Sequence, residues 1–124
     1  MQVHLVDGTY ELYRQHFGQA TRHSDPPPFA GTIGVLTSTI QLLQDGATHI
    51  GVATDHVIES FRNDLYDGYK TSEGMEPVLL EQIPILEDAL RAMGVTVWAM
   101  EKYEADDALA SAVTKACEDR TVHK

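Results

Sequence analysis

The residues with the greatest chemical potential in this chain are three carboxylates within four positions, in Tyr103-Glu104-Ala105-Asp106-Asp107-Ala108-Leu109-Ala110, where a helical pattern begins. Like charges this close cost energy unless a cation sits among them. Acids in a first helical turn also complement the helix dipole, which is the plain reading of any such pair. The sharper reading is a hard-cation site, because carboxylates are the usual oxygen ligands of Mg²⁺ or Mn²⁺. Two further acids favour it. Asp7 and Asp55 each follow a short apolar run that reads as a parallel strand, and the carboxyl ends of strands are where open α/β sheets place their ligands.

The elements that must position these acids follow from the pattern along the chain. Val3 to Val6 is apolar and ends in Asp7-Gly8-Thr9, which predicts a strand, a tight turn and a helix that Thr9 can cap. The helical pattern runs from Tyr10 to Phe17, with Arg14 near its start, and Gln19 to Phe29, with Pro26-Pro27-Pro28, predicts a loop. Apolar residues at 33, 36, 40 and 43 predict an amphipathic helix over Gly31 to Gln44 with that face inward. His49 to Ala53 is the second strand and delivers Asp55. The unit is a βαβ crossover, expected to be right-handed with parallel strands.

From His56 to Gly74 the chain is polar, Gly-punctuated and weakly periodic; a long irregular stretch in a compact domain is more often functional than idle. A helix is expected from Pro77 to about Met93, with Leu80, Ile83, Leu86, Leu90 and Met93 on one face and a kink or broken first turn at Pro84. Val95 to Met100 is the third strand. The acidic helix follows, with Ala108, Leu109, Ala112, Val113 and Ala116 as its buried face, and Thr121-Val122-His123 reads as the approach to another strand. The predicted fold is α/β, with strands at about 2–6, 49–54 and 95–100.

At 124 residues and 43% hydrophobic content the chain is one domain with enough apolar surface for a core. Nineteen acids against nine basic residues, a formal charge of −10, argue against a polybasic nucleic-acid or membrane surface. They do not argue against a nucleic-acid enzyme, since a metal-loaded acidic cleft presents positive charge to phosphate. One cysteine, Cys117, allows no internal disulfide and fits a reducing cytoplasm. The start lacks the basic and apolar segments of a signal peptide, and no run reaches the ~18 apolar residues of a membrane span. The six histidines show no ligand-like pairing.

Four stretches together resemble one family, the 5′→3′ exonucleases and flap endonucleases, which include the 5′-nuclease domain of DNA polymerase I. They are Leu5-Val6-Asp7-Gly8-Thr9, Val52-Ala53-Thr54-Asp55, Ser60-Phe61-Arg62 with Gly68-Tyr69-Lys70, and Tyr103-Glu104-Ala105-Asp106-Asp107, in the family's order over nearly the whole chain. The resemblance implies a three-layer PIN-like domain over residues 1–124, and hydrolysis of phosphodiester bonds at DNA 5′ ends, flaps or nicks with two divalent metals. By that resemblance Asp7, Asp55, Glu104 and Asp106 bind or orient the first metal. Asp107 reaches a metal through water or caps the helix.

Lys70 and Arg62 match residues that grip the scissile phosphate, Lys as a point charge and Arg as a bidentate fork. Their alternative is surface pairing with Glu59, Asp64 or Asp67. Arg14 is a further DNA-binding candidate, and Tyr10 is one for base stacking, its alternative being a place in the core.

The chain departs from the family where Thr71-Ser72-Glu73-Gly74 carries no basic residue and where the later acid cluster of the second metal is absent. It therefore reads as the N-terminal part of a longer nuclease, inactive by itself. The rival readings are a phosphatase of the haloacid-dehalogenase type and a non-catalytic PIN-like module that binds DNA ends or a partner. The first fails because Leu5 stands where the nucleophilic Asp would be, and no P-loop pattern is present either.

Overall fold

The central strand fixes the architecture, because it is buried from end to end after its first residue. In the computed structural model, which describes residues 1–22 and 24–123, β2 (His49–Asp55) lies between β1 (Val3–Asp7) and β3 (Thr96–Met100) in a fully parallel sheet of order β1-β2-β3. Asp7 pairs with Ala53 and Asp55 with Met100, so the two acids end neighbouring strands on the same side of the sheet. Such a strand is mostly apolar on both faces, and its buried polar residues, Thr54 and Asp55, stand at its carboxyl end. Val52 and Ala53 are completely buried.

Helices cover both faces. On one, α1 (Gly8–Arg22), α2 (Ala30–Gln44) and α4 (Pro77–Ala92) pack together; on the other, α5 (Ala105–Glu118) lies across all three strands. The core forms where Leu12, Val35, Leu79, Ile83, Leu86 and Leu90 meet Ile50 and Val52. The short α3 (Phe61–Leu65) follows β2. This is the three-layer α/β arrangement expected of a PIN-like domain.

Two glycines set close approaches. A Cβ on Gly8 would lie 2.7 Å from Val52 Cγ1 and 2.9 Å from Thr54 Cγ2, so glycine lets α1 begin at the very end of β1. A Cβ on Gly51 would lie 2.5 Å from the Trp98 ring, so the bare backbone of β2 is what admits the indole on the α5 face.

Several helices differ from their sequence pattern. The first extends to Arg22, shortening the expected loop. α2 buries Gly31, Thr32, Val35 and Thr39 and leaves Ile33, Ile40 and Leu43 exposed, so its inward face is not the predicted one. Small residues win because α1 and α2 pack closely: Cβ atoms at Gly34 and Gly31 would press on Gln15 and His16. Phe29 gives α2 no side-chain cap; instead buried Gln82 of α4 accepts from the Thr32 N–H and Oγ1, both at 3.1 Å.

α4 runs unbroken through Pro84, which faces solvent where water can take up the freed carbonyl. On α5 only Ala105 is fully buried, and Val113 is exposed. Near the termini, the Met1 ammonium donates to Thr121 O at 2.6 Å and the His123 N–H to Met1 O at 3.0 Å. Residues 121–123 thus lie alongside Met1, but no strand forms there.

Candidate functional site

Each acid is set by the element end that carries it. Asp7 closes β1, and its Oδ1 accepts the Tyr10 N–H at 3.0 Å, so it is Asp7 that caps α1. Thr9, expected in that role, instead accepts the Asp55 N–H at 2.8 Å through its Oγ1, tying the first turn of α1 to the end of β2. Asp55 is buried, and its Oδ1 accepts the Ala105 N–H at 2.9 Å. One carboxylate therefore orients the N-terminus of α5 against the central strand. Glu104 is the N-cap residue of α5, and its N–H donates to Asp107 Oδ2 at 2.8 Å.

Two cations enter from the segment after β2. Lys70 Nζ stands 3.1 Å from Glu104 Oε1 and 3.4 Å from Asp55 Oδ2. Arg62 forks onto Asp107, with Nη1 to Oδ2 and Nη2 to Oδ1 both at 2.9 Å, and its Nη1 also donates to Glu104 Oε2. Its guanidinium lies 4.6 Å from the Phe61 ring centroid, and Phe61 packs against Tyr103. The partners of Arg62 are thus the acids of α5, not Glu59, Asp64 or Asp67. Asp107 does cap the helix, and it holds Arg62 as well.

The electrostatics follow the geometry. Burial pushes the Asp7 carboxyl above its ordinary value, the neighbouring charges of Asp55 and Asp106 add to this, and the Tyr10 amide and Lys70 oppose it. Burial would raise Glu104 too, but Lys70 and Arg62 outweigh it and hold the carboxyl below its usual range. The Arg62 hydrogen bonds and the Glu104 amide lower Asp107. Burial works against the Lys70 ammonium, yet Glu104 and Asp55 hold its pKa above the ordinary value. Hydrogen bonding to Asp107 and Glu104 likewise raises Arg62.

Asp55, Glu104 and Asp107 therefore meet Lys70 and Arg62 at one end of the sheet, Asp7 senses the charge of Lys70 there, and Asp106 joins the group through its charge on Asp7. Asp106 is exposed on the first turn of α5. Arg14 and Tyr10 stand apart: Arg14 pairs with Glu11 at 2.7 Å, Tyr10 is 62% exposed rather than in the core, and both line a hollow of about 380 Å³ beside β1 with His4, Asp7 and Leu42.

Among the described residues no three acids, histidines or cysteines are arranged to enclose an ion. The Lys70 ammonium lies between the carboxylates of Asp55 and Glu104. The donor set nonetheless suits a hard divalent ion: every candidate ligand is a carboxylate oxygen, and two of them already converge on a cation.

Other contributors carry little sequence signal. Burial raises the Tyr13 hydroxyl, which senses the charges of Lys70 and Asp55. Buried Glu87 of α4 accepts from Thr54 Oγ1 at 2.5 Å and lies 2.7 Å from His56 Nδ1, bracketing Asp55 from the other face. Only a buried acid in an otherwise apolar helix stripe could have flagged it.

A sequence model described as 5′-3′ exonuclease, N-terminal resolvase-like domain, matches residues 2–123. The chain is 30% identical over 115 residues to DNA polymerase I of Bacillus caldotenax, covering 90% of this chain and 13% of that protein. It is 32% identical over 117 residues to DNA polymerase I of Mycobacterium leprae, again covering 90% and 13%. To a 5′-3′ exonuclease of Mycoplasma pneumoniae it is 34% identical over 116 residues, covering 86% of this chain and 39% of that one. The chain thus spans a minor part of each of these relatives. None of its described helices is long and apolar enough to cross a membrane.

Proposed function

The chain belongs to the family of 5′-3′ exonuclease N-terminal, resolvase-like domains, and from that premise we propose that it is the first-cluster half of a divalent-metal-dependent nuclease cutting DNA at 5′ ends, flaps or nicks. The observation that carries the reading is the meeting of Lys70 and Arg62 with Asp55, Glu104 and Asp107 at the carboxyl end of a parallel sheet. Nuclease chemistry needs both signs of charge in one place. Carboxylates hold a metal, and cations orient phosphate.

Asp7, Asp55, Glu104 and Asp106 would hold Mg²⁺ or Mn²⁺, which when bound supplies Lewis-acid charge and an activated water. Five carboxylates against two cations leave three negative charges over, more than one divalent ion neutralises, so the site retains demand for metal. Lys70 offers a point charge to phosphate, and Arg62 a planar fork. Both are held by acids until a competing anion arrives. Asp107 keeps Arg62 oriented, and the caps on α1 and α5 fix Asp7 and Glu104 to rigid elements.

Two-metal hydrolysis wants ions roughly 3.5–4 Å apart, and these acids supply one ion site. The 124-residue chain alone is therefore expected to bind Mg²⁺ weakly and not to cut DNA at a useful rate. The absence of an ion-enclosing trio among the described residues favours a second reading, a non-catalytic module for DNA ends. One experiment separates them: melting of the purified chain with and without Mg²⁺, and incubation with Mn²⁺ and a 5′-flap substrate. A melting temperature that rises with Mg²⁺, lost on Asp55→Ala, supports the metal site, and no rise supports the module. Efficient cleavage lost on Asp55→Ala would overturn the one-cluster account.

A further inference from the structure

Asn63 spends both ends of one side chain on the segment that brings in the cations. Its Oδ1 accepts the Ser60 N–H at 2.9 Å and closes the capping box of α3, the helix on which Arg62 sits. Its Nδ2 donates to the backbone carbonyl of Lys70. Glu59 adds a second tie just beyond, its Oε1 accepting the Ser72 N–H at 2.9 Å and the Ser72 Oγ at 3.0 Å. Between Leu65 and Pro77 there is no helix or strand, so the Lys70 backbone has no ladder to fix it.

We propose that Asn63 is a positioning residue, a strut that sets the spacing between Arg62 and Lys70 so that both cations address the same stretch of a DNA backbone. The assignment rests on the DNA-cleaving reading above. The chemistry is selective. The position needs an acceptor on one side and a donor on the other, at the reach of a short side chain. Asparagine supplies both, aspartate supplies only the acceptor, and leucine neither. Asn63→Asp therefore keeps the α3 cap and removes the strut.

The first measurement is amide hydrogen exchange on the full 124-residue chain without DNA. In Asn63→Asp, the amides of residues 69–72 should exchange roughly five- to tenfold faster, the yield of one lost hydrogen bond, while β2 and α4 are unchanged. Unchanged exchange at 69–72 would overturn the strut. This result does not depend on the protein being a nuclease.

The second is a double-mutant cycle on affinity for a 5′-flap oligonucleotide, with Ca²⁺ present. Asn63→Asp should weaken binding several-fold in the wild-type chain and leave it nearly unchanged in a Lys70→Met background, because the strut acts through Lys70. Equal losses in both backgrounds would mean that the added charge, not the strut, is responsible, and would overturn the proposal. If the wild-type chain binds no DNA, the nuclease reading fails and the exchange result alone decides the strut.

Discussion

The Lys70 ammonium stands 3.1 Å from Glu104 Oε1, among the carboxylates and not outside them. A cation already in place competes with any metal ion for the same oxygens. Lys70→Met should therefore tighten Mg²⁺ binding by about 1.5- to 5-fold, the worth of a partly exposed ion pair. In a complete nuclease it should slow single-turnover cleavage by orders of magnitude. Calorimetric titration with Mg²⁺ checks the first; weaker binding in the variant would refute the competition.

Arg62 makes two parallel bonds to Asp107 that a lysine cannot reproduce. Arg62→Lys should lose stability relative to the wild type, and Arg62→Met should lose more, because Glu104 and Asp107 are then left facing each other. If Arg62 also contacts a phosphate, the salt dependence of DNA affinity should fall by about one unit of slope in Arg62→Met. Thermal melting and binding at several salt concentrations measure the two effects separately.

Asp7 is held above its ordinary value by burial and by Asp55 and Asp106. Its folded-state pKa exceeds its unfolded one, so its contribution to stability is lost as pH rises from about 3.8 through the raised value. Asp7→Asn keeps an oxygen for the Tyr10 amide and removes the repulsion. At neutral pH it should stabilise the metal-free chain by on the order of 0.5 kcal/mol, discounted for solvent screening, or about 2 °C in melting temperature. The added stability from Mg²⁺ should shrink in the same variant.

Glu104 and Asp107 behave in the opposite sense. Their folded pKa values lie below the ordinary 4.5 and 3.8, so the stability they contribute is complete above those values and lost as pH falls through the lowered ones. Acid unfolding should begin below about pH 4.5 and shift upward in Arg62→Met, where Lys70 alone still holds Glu104 down and the Glu104 amide alone holds Asp107. An acid midpoint unmoved by that substitution would show that the pairs contribute little.

Among the described residues β1 pairs only with β2, so its other side presents open backbone groups over Val3–Asp7. An open strand edge is a template for pairing with another chain. The 124-residue chain should self-associate with rising concentration, as read by sedimentation, and its melting should depend on concentration. A monomer with a concentration-independent melt would count against this.

The strands were legible because each is a short apolar run with a clear stop, and a parallel sheet then has to place Asp7 and Asp55 at neighbouring strand ends. The inward face of α2 was not, because periodicity marks large apolar residues while close helix packing selects Gly31, Thr32 and Thr39. α3 was missed because five residues are too few to show a period. Arg62 and Lys70 were visible only through the family pattern. The ties of Asn63 to Lys70 and of Glu59 to Ser72 were invisible to any pattern, since they span seven and thirteen residues into an irregular segment.

The cover that Trp98 gives to Gly51 has a spectroscopic use. Trp98 is the chain's one tryptophan, and its ring tip occupies the space a side chain on β2 would fill. Its emission is thus a built-in optical reporter of whether β3 has docked on β2, readable without label or dye. Gly51→Ala would displace the indole and change that signal, giving a calibration of what a loosened sheet looks like. Folding of the scaffold can then be followed by this emission, independently of the calorimetric titration that reads occupancy of the carboxylate cluster.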